Sequence, residues 1–260
     1  MRRHLRAEWT KSRTVPSTVP LLLGVVALTV AGGAMASAAT TAPACAASGC
    51  TFDLTKLSLT GVLLGQAVVV VLAVLAMSGE YGTGMVRTTF TAMPRRSAVL
   101  AAKAAVLTGL TLVAAVIGVL ASVLAARLIL PGNGFTPAHG YPALSLADGP
   151  TLRAAAGSVL CLVLVALLGL GVAAAVRDPA TAIGVVLGLL YLFPLLIFVI
   201  SDQAWQRLLW QVSPLNAGLA VQSTTDAGLP LGPGAGLVVL AAWAALALLA
   251  GGLRVRLRDA

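Results

Sequence analysis

The sequence predicts an all-α integral membrane protein, and three observations carry that prediction. Of the 260 residues, 59% are hydrophobic and 10% are charged, whereas a soluble domain carries about 25% charged residues. Apolar runs recur six times, near 19–39, 57–77, 104–126, 154–176, 180–200 and 234–253. Each is about as long as a helix must be to cross a hydrocarbon core, roughly 20 residues. None of these runs holds an Asp, Glu, Lys, Arg or His; the charges lie between them. No long soluble segment remains, so residues 1–260 read as a single transmembrane domain.

Residues 1–16 are basic, with Arg2, Arg3, Arg6, Lys11 and Arg13 against Glu8. Leu5 and Trp9 stand four apart and share a helix face, which predicts a surface helix at the membrane interface. A solvated basic tail is the alternative. The first run, 19–39, ends in small residues and mimics a secretory signal, but its length favours an uncleaved span. Cys45 lacks the leucine of a lipoprotein box. Cys45 and Cys50 share a short loop, where a disulfide is geometrically allowed on an oxidising side; two free thiols are the alternative. Cys161 lies inside a run and reads as a small packing residue.

The second run carries Gly61 and Gly65, a GxxxG pair suited to close helix packing. A polar segment, 78–103, follows. It holds Glu80, Arg87, Arg95, Arg96 and Lys103 with several threonines. Nothing so polar lies across a bilayer core, so it sits in water or at the interface. Gly82 and Gly84 favour a turn, 85–91 a short helix, and Pro94 its end.

After the third run, Pro131-Gly132-Asn133-Gly134 breaks the helix, and 131–151 form a polar loop. Arg177-Asp178-Pro179 is a tight turn between the fourth and fifth runs. Ala180, Gly184 and Gly188 repeat small residues every four positions, again a packing face. Residues 201–233 are too short and polar for a span. Trp205 and Trp210 suit an interface, and the Pro214 to Asn216 region interrupts the helical pattern. Two short helices in a re-entrant hairpin are expected there, with an amphipathic surface loop as the alternative.

Charge sets the expected orientation. With both termini cytoplasmic, thirteen cations (Arg2, Arg3, Arg6, Lys11, Arg13, Arg87, Arg95, Arg96, Lys103, Arg177, Arg254, Arg256, Arg258) lie inside. Four, Lys56, Arg127, Arg153 and Arg207, lie outside. That bias follows the positive-inside rule. The net charge of +9 therefore fits topology and anionic lipid rather than nucleic acid. Lysine occurs only at Lys11, Lys56 and Lys103 in an Ala-, Val- and Leu-rich chain, which points to a GC-rich bacterium and its cytoplasmic membrane.

The missing chemistry narrows the function. Proton-coupled carriers and pumps rely on ionisable groups inside the membrane, and the runs hold none. The sequence has no HExxH, no GxSxG and no phosphate loop. No catalytic set and no metal site assembles, and any ATP that drives the protein is bound by another chain.

The layout resembles the membrane subunits of type-2 ATP-binding-cassette (ABC) exporters, which include drug-resistance, bacteriocin-immunity and polysaccharide-export permeases. The most specific resemblance is the stretch from Glu80 and Tyr81 through Gly84, Arg87 and Thr88 to Pro94, Arg95 and Arg96, with Lys103 beyond. Met85 departs from the family's usual threonine, and Gly82 and Thr83 from its more polar residues. The resemblance implies six spans, a cytoplasmic coupling helix between spans two and three, and a re-entrant hairpin before span six. It also implies a dimer with itself or a sibling permease, and two ATPase subunits that hold ATP and magnesium. The cargo it implies is amphipathic, drug-like, peptide or lipid-like. Glu80 would pair with a nearby cation, and the arginines would contact the ATPase or lipid phosphates. An ATP-independent carrier and a non-transporting scaffold or sensor are the alternatives.

Overall fold

The computed structural model describes residues 2–42, 52–82, 96–225 and 230–258. Among them there is no β-strand. The first helices are α1 (Arg2–Thr14), α2 (Thr18–Ala39), the one-turn α3 (Leu54–Ser58), α4 (Val62–Gly82) and α5 (Arg96–Ile129). Then come α6 (Gly149–Val176), α7 (Pro179–Val199), α8 (Gln203–Val212), α9 (Pro214–Leu219) and α10 (Pro233–Arg258). Among the described residues, five helical stretches are long and apolar enough to cross a membrane: Thr18–Ala39, Ala98–Asn133, Gly149–Val176, Pro179–Val199 and Pro233–Val255.

The helix starts follow local chemistry. Pro150 opens α6 and Pro179 opens α7, where a missing N–H costs nothing. Asp178 caps α7 by accepting from the Thr181 N–H at 2.7 Å. Arg177 adopts φ +70°, a left-handed turn that stops α6 and lets the chain reverse into α7.

The long helices run alternately up and down around α6. Of the apolar window of α6, 61% is buried, against 17% for α7 and 22% for both α2 and α10. Helix α6 is therefore the hub, and the others turn much of their surface outward. It packs on α4, α5, α7 and α10, while α2 lies across α4 and α5. The backbones of α6 and α10 touch where Gly171 meets Ala247 and Gly251; a Cβ at either glycine would collide with the facing main chain. Such small-residue contacts are how helices associate when lipid removes the hydrophobic drive.

One expected span takes a different form. The run 57–77 is not one helix. It breaks at Leu59–Gly61, between α3 and α4, and its regular apolar part is the shorter Val62–Ser78. The break has partners elsewhere in the fold. Ser122 Oγ donates to the Ser58 carbonyl at 2.7 Å, and Gln222 Nε2 donates to the Leu59 carbonyl at 3.3 Å. Helix α5 differs in the other direction. It begins at Arg96 rather than near 104, so it takes in Lys103.

The two glycine stripes separate. Gly61 and Gly65 lie directly on α2, against the Thr29 carbonyl and hydroxyl. Gly184 and Gly188 on α7 meet nothing within 4 Å. That face is open, so it packs against no other part of the described chain. Pro194 lies inside α7, which continues past it to Val199.

Candidate functional site

The alternation of helices gives the bundle two ends. One end carries α1, the close of α4, the start of α5 and the turn at Arg177. The other carries the described stretches 40–42, 52–61, 130–148, 200–225 and 230–232.

At the first end, the expected coupling segment falls largely outside the described residues. Gly84, Arg87, Thr88, Pro94 and Arg95 all lie there. The backbone of Glu80 and Tyr81 forms the last turns of α4, and Arg96 opens α5; their side chains lie outside the description.

What flanks that segment is well defined. Lys103 sits two turns into α5 and is 4% exposed. Its ammonium donates to Glu8 Oε2 at 2.9 Å and to the Ala76 carbonyl at 2.9 Å. An isolated ammonium in such a place would shed its proton or draw in water. Here a carboxylate and a carbonyl meet it instead. The Glu8 side chain is itself only 12% exposed. One cation thus ties together three elements: α1, the end of α4 and the start of α5. Helix α1 lies along α5, with Trp9 47% exposed, as suits a helix whose outer face meets an interface.

The expectation that no span holds a charged side chain therefore changes, because the helix outruns its apolar stretch and buries Lys103. Glu8 was not singled out as a partner from sequence. The available signal was its standing as the lone acid among the five cations of residues 1–16.

At the second end, two short helices precede α10. Asp202 caps α8, accepting from the N–H groups of Ala204 at 2.8 Å and Trp205 at 3.2 Å. Trp205 is exposed and Trp210 half-buried, and α8 has no buried residue. The chain breaks at Ser213, which caps α9 through the Asn216 N–H at 3.2 Å, and Pro214 takes the first helical position. From Ser213 to Ser223 most residues are buried, Pro214 among them, with Asn216 half-buried. Trp243 Nε1 donates to the Val212 carbonyl at 3.0 Å, which pins the junction to α10.

A polar belt fastens this hairpin to the loop before α3. Asp53 accepts from the Thr224 N–H at 2.6 Å, the Thr224 hydroxyl at 2.7 Å and the Lys56 N–H at 2.9 Å. Arg153 donates to the Ser223 carbonyl at 2.7 Å, and Gln222 donates to Ser158 Oγ at 3.1 Å. The Thr224 partner of Asp53 was not foreseen, because it is 171 residues away in sequence.

Cys45 and Cys50 lie outside the described residues. Cys161 is a buried free thiol in α6. Among the described residues, no group of three His, Cys, Asp or Glu side chains comes together. No protein-family model matches the chain, and no curated protein matches it significantly.

Proposed function

We propose that this chain is the transmembrane subunit of an ATP-driven exporter of the type-2 ABC class in a bacterial cytoplasmic membrane. Two such chains, or this one and a sibling, would enclose the pathway. Two separate ATPase subunits would hold ATP and magnesium. The cargo would be amphipathic, drug-like, peptide or lipid-like.

The observation that best supports the reading is the Lys103–Glu8 pair beside the segment 83–95. A docking segment transmits motion only if its flanks are joined to the spans. Here α4 and α5 enter and leave the segment directly, and Lys103 adds α1 to the same joint. ATP-driven closure of the partners would push on 83–95. The displacement would tilt α4 and α5 together, because both hold the same ammonium. Apolar, small-residue helices suit amphipathic cargo better than small ions, which need oxygen ligands or charges to replace hydration.

The test is recovery of the tagged chain from its native membrane. A stoichiometric ATPase should accompany it, and Arg87→Glu should remove that partner while leaving membrane insertion intact. A gently solubilised preparation with no ATPase would favour an ATP-independent carrier or a scaffold.

A further inference from the structure

At the end of the bundle opposite Lys103 lies a cavity of about 370 Å³. This is within the size range of small-ligand sites, roughly 300–1,000 Å³. Its walls are apolar and aromatic, with Phe52, Leu54, Tyr141 and Leu144 prominent. The ring orientations are held from behind. Phe135, which is 4% exposed, contacts Phe52 with centroids 5.7 Å apart and meets Tyr141 edge-on at 4.9 Å. The deep polar groups are Thr55 and Thr151, whose hydroxyls bond each other at 3.2 Å. The Thr224 hydroxyl is occupied by Asp53.

One charged side chain lines the cavity among the described residues: Asp148. It stands at the N-cap of α6, where an aspartate ordinarily accepts from a helix N–H, yet its side chain makes no such bond. Among the described residues, the other aspartates at this end, Asp53 and Asp202, are both engaged with backbone donors. The helix start itself is electropositive, by roughly half a charge. That offsets only part of a full carboxylate, and Pro150 removes one of the N–H donors there. The described lining is therefore net negative, with the exposed Asp148 carboxylate its one charged group, aromatic walls and no basic side chain.

We infer that this cavity binds an organic monocation: an ammonium group paired with Asp148, its apolar body lying against Phe52 and Tyr141. A carboxylate supplies the charge complement, and aromatic faces attract a cation within about 6 Å. The bonded Thr55–Thr151 hydroxyls leave the deep end with little demand for a polar ligand group. The inference stands without the transport reading. Within that reading, the site would receive or release cargo at the outer face and would narrow the cargo to amine-bearing amphiphiles.

The experiment is equilibrium binding of benzyltrimethylammonium to the full chain in lipid nanodiscs, with no ATPase present. Saturable binding is expected for the native chain. Asp148→Asn should weaken it about tenfold, and Phe52→Ala should weaken it as well. Asp202→Asn, on a carboxylate outside the cavity, should leave it unchanged. Because the Asp148 side chain is exposed and makes no cap bond, Asp148→Asn should lower the thermal midpoint only slightly, through the charge lost at the helix start, which separates lost binding from lost folding. Absence of saturable binding to the native chain, or equal affinity in Asp148→Asn, would overturn the proposal. Neither result bears on whether an ATPase partners the chain.

Discussion

Lys103 is a cation buried where lipid or protein surrounds it, and its neighbours make that tolerable. Removing one member of a buried pair strands the other, at a cost of about 3–5 kcal/mol. Glu8→Gln and Lys103→Met should each lower the thermal midpoint in nanodiscs. The double change Glu8→Leu with Lys103→Met should recover much of that loss, since no charge then remains unpaired. Two neutral single variants would show that the pair carries little of the stability. Asp178 offers a different test at the same scale. The hydroxyl and the backbone N–H of Thr181 both favour its ionised form and hold its carboxyl below the usual range. A lowered pKa means the contribution is present at neutral pH and is lost as pH falls through the folded value. Hydrogen exchange at the first turn of α7, corrected for its intrinsic rate, should therefore quicken in acid. In Asp178→Asn it should show no such step.

Among the helices, the two glycine stripes look alike in sequence and part company in the fold. Gly61 touches the main chain of α2 at Thr29 and Gly33, with no room for a methyl group. Gly184 faces open space. Gly61→Ala should push α2 and α4 apart and destabilise the chain by about 1–3 kcal/mol, the usual range for overpacking. Gly184→Ala should leave the isolated chain neutral or slightly more stable, since alanine is the better helix former. Thermal unfolding of both variants side by side checks the contrast. Equal losses would mean that the open face of α7 is covered in the intact protein. The break at Leu59–Gly61 belongs to this scale too. An apolar run with two glycines, Gly61 and Gly65, still reads as a continuous helix. It is interrupted because Ser122 and Gln222, from distant helices, bond the carbonyls that the interruption frees.

For the molecule as a whole, the expected consequence of the export reading is loss of the ATPase in Arg87→Glu with normal insertion. Much of the architecture was legible beforehand, because hydrophobic run length and the absence of charge are local properties. The first, third, fourth, fifth and sixth runs all coincide with helices long and apolar enough to cross a membrane. The break at Pro214 was legible for the same reason, since proline acts on its immediate neighbours; the Ser213 cap was added by the structure.

The sequence by itself determined the helical class and the polar segment after the second run, and it left two short helices or a surface loop before the last run, a choice the structure made. Only the tertiary structure decided which residues meet. Glu8 and Lys103 are 95 positions apart, and Asp53 and Thr224 are 171 apart. No local pattern encodes pairs of that kind. Equally, Asp148 and Asp202 occupy the same helix-start position in sequence terms. Asp202 caps its helix, whereas Asp148, whose helix start lacks an N–H at Pro150, does not, and only the fold places Asp148 in the lining of a cavity with Phe52 and Tyr141.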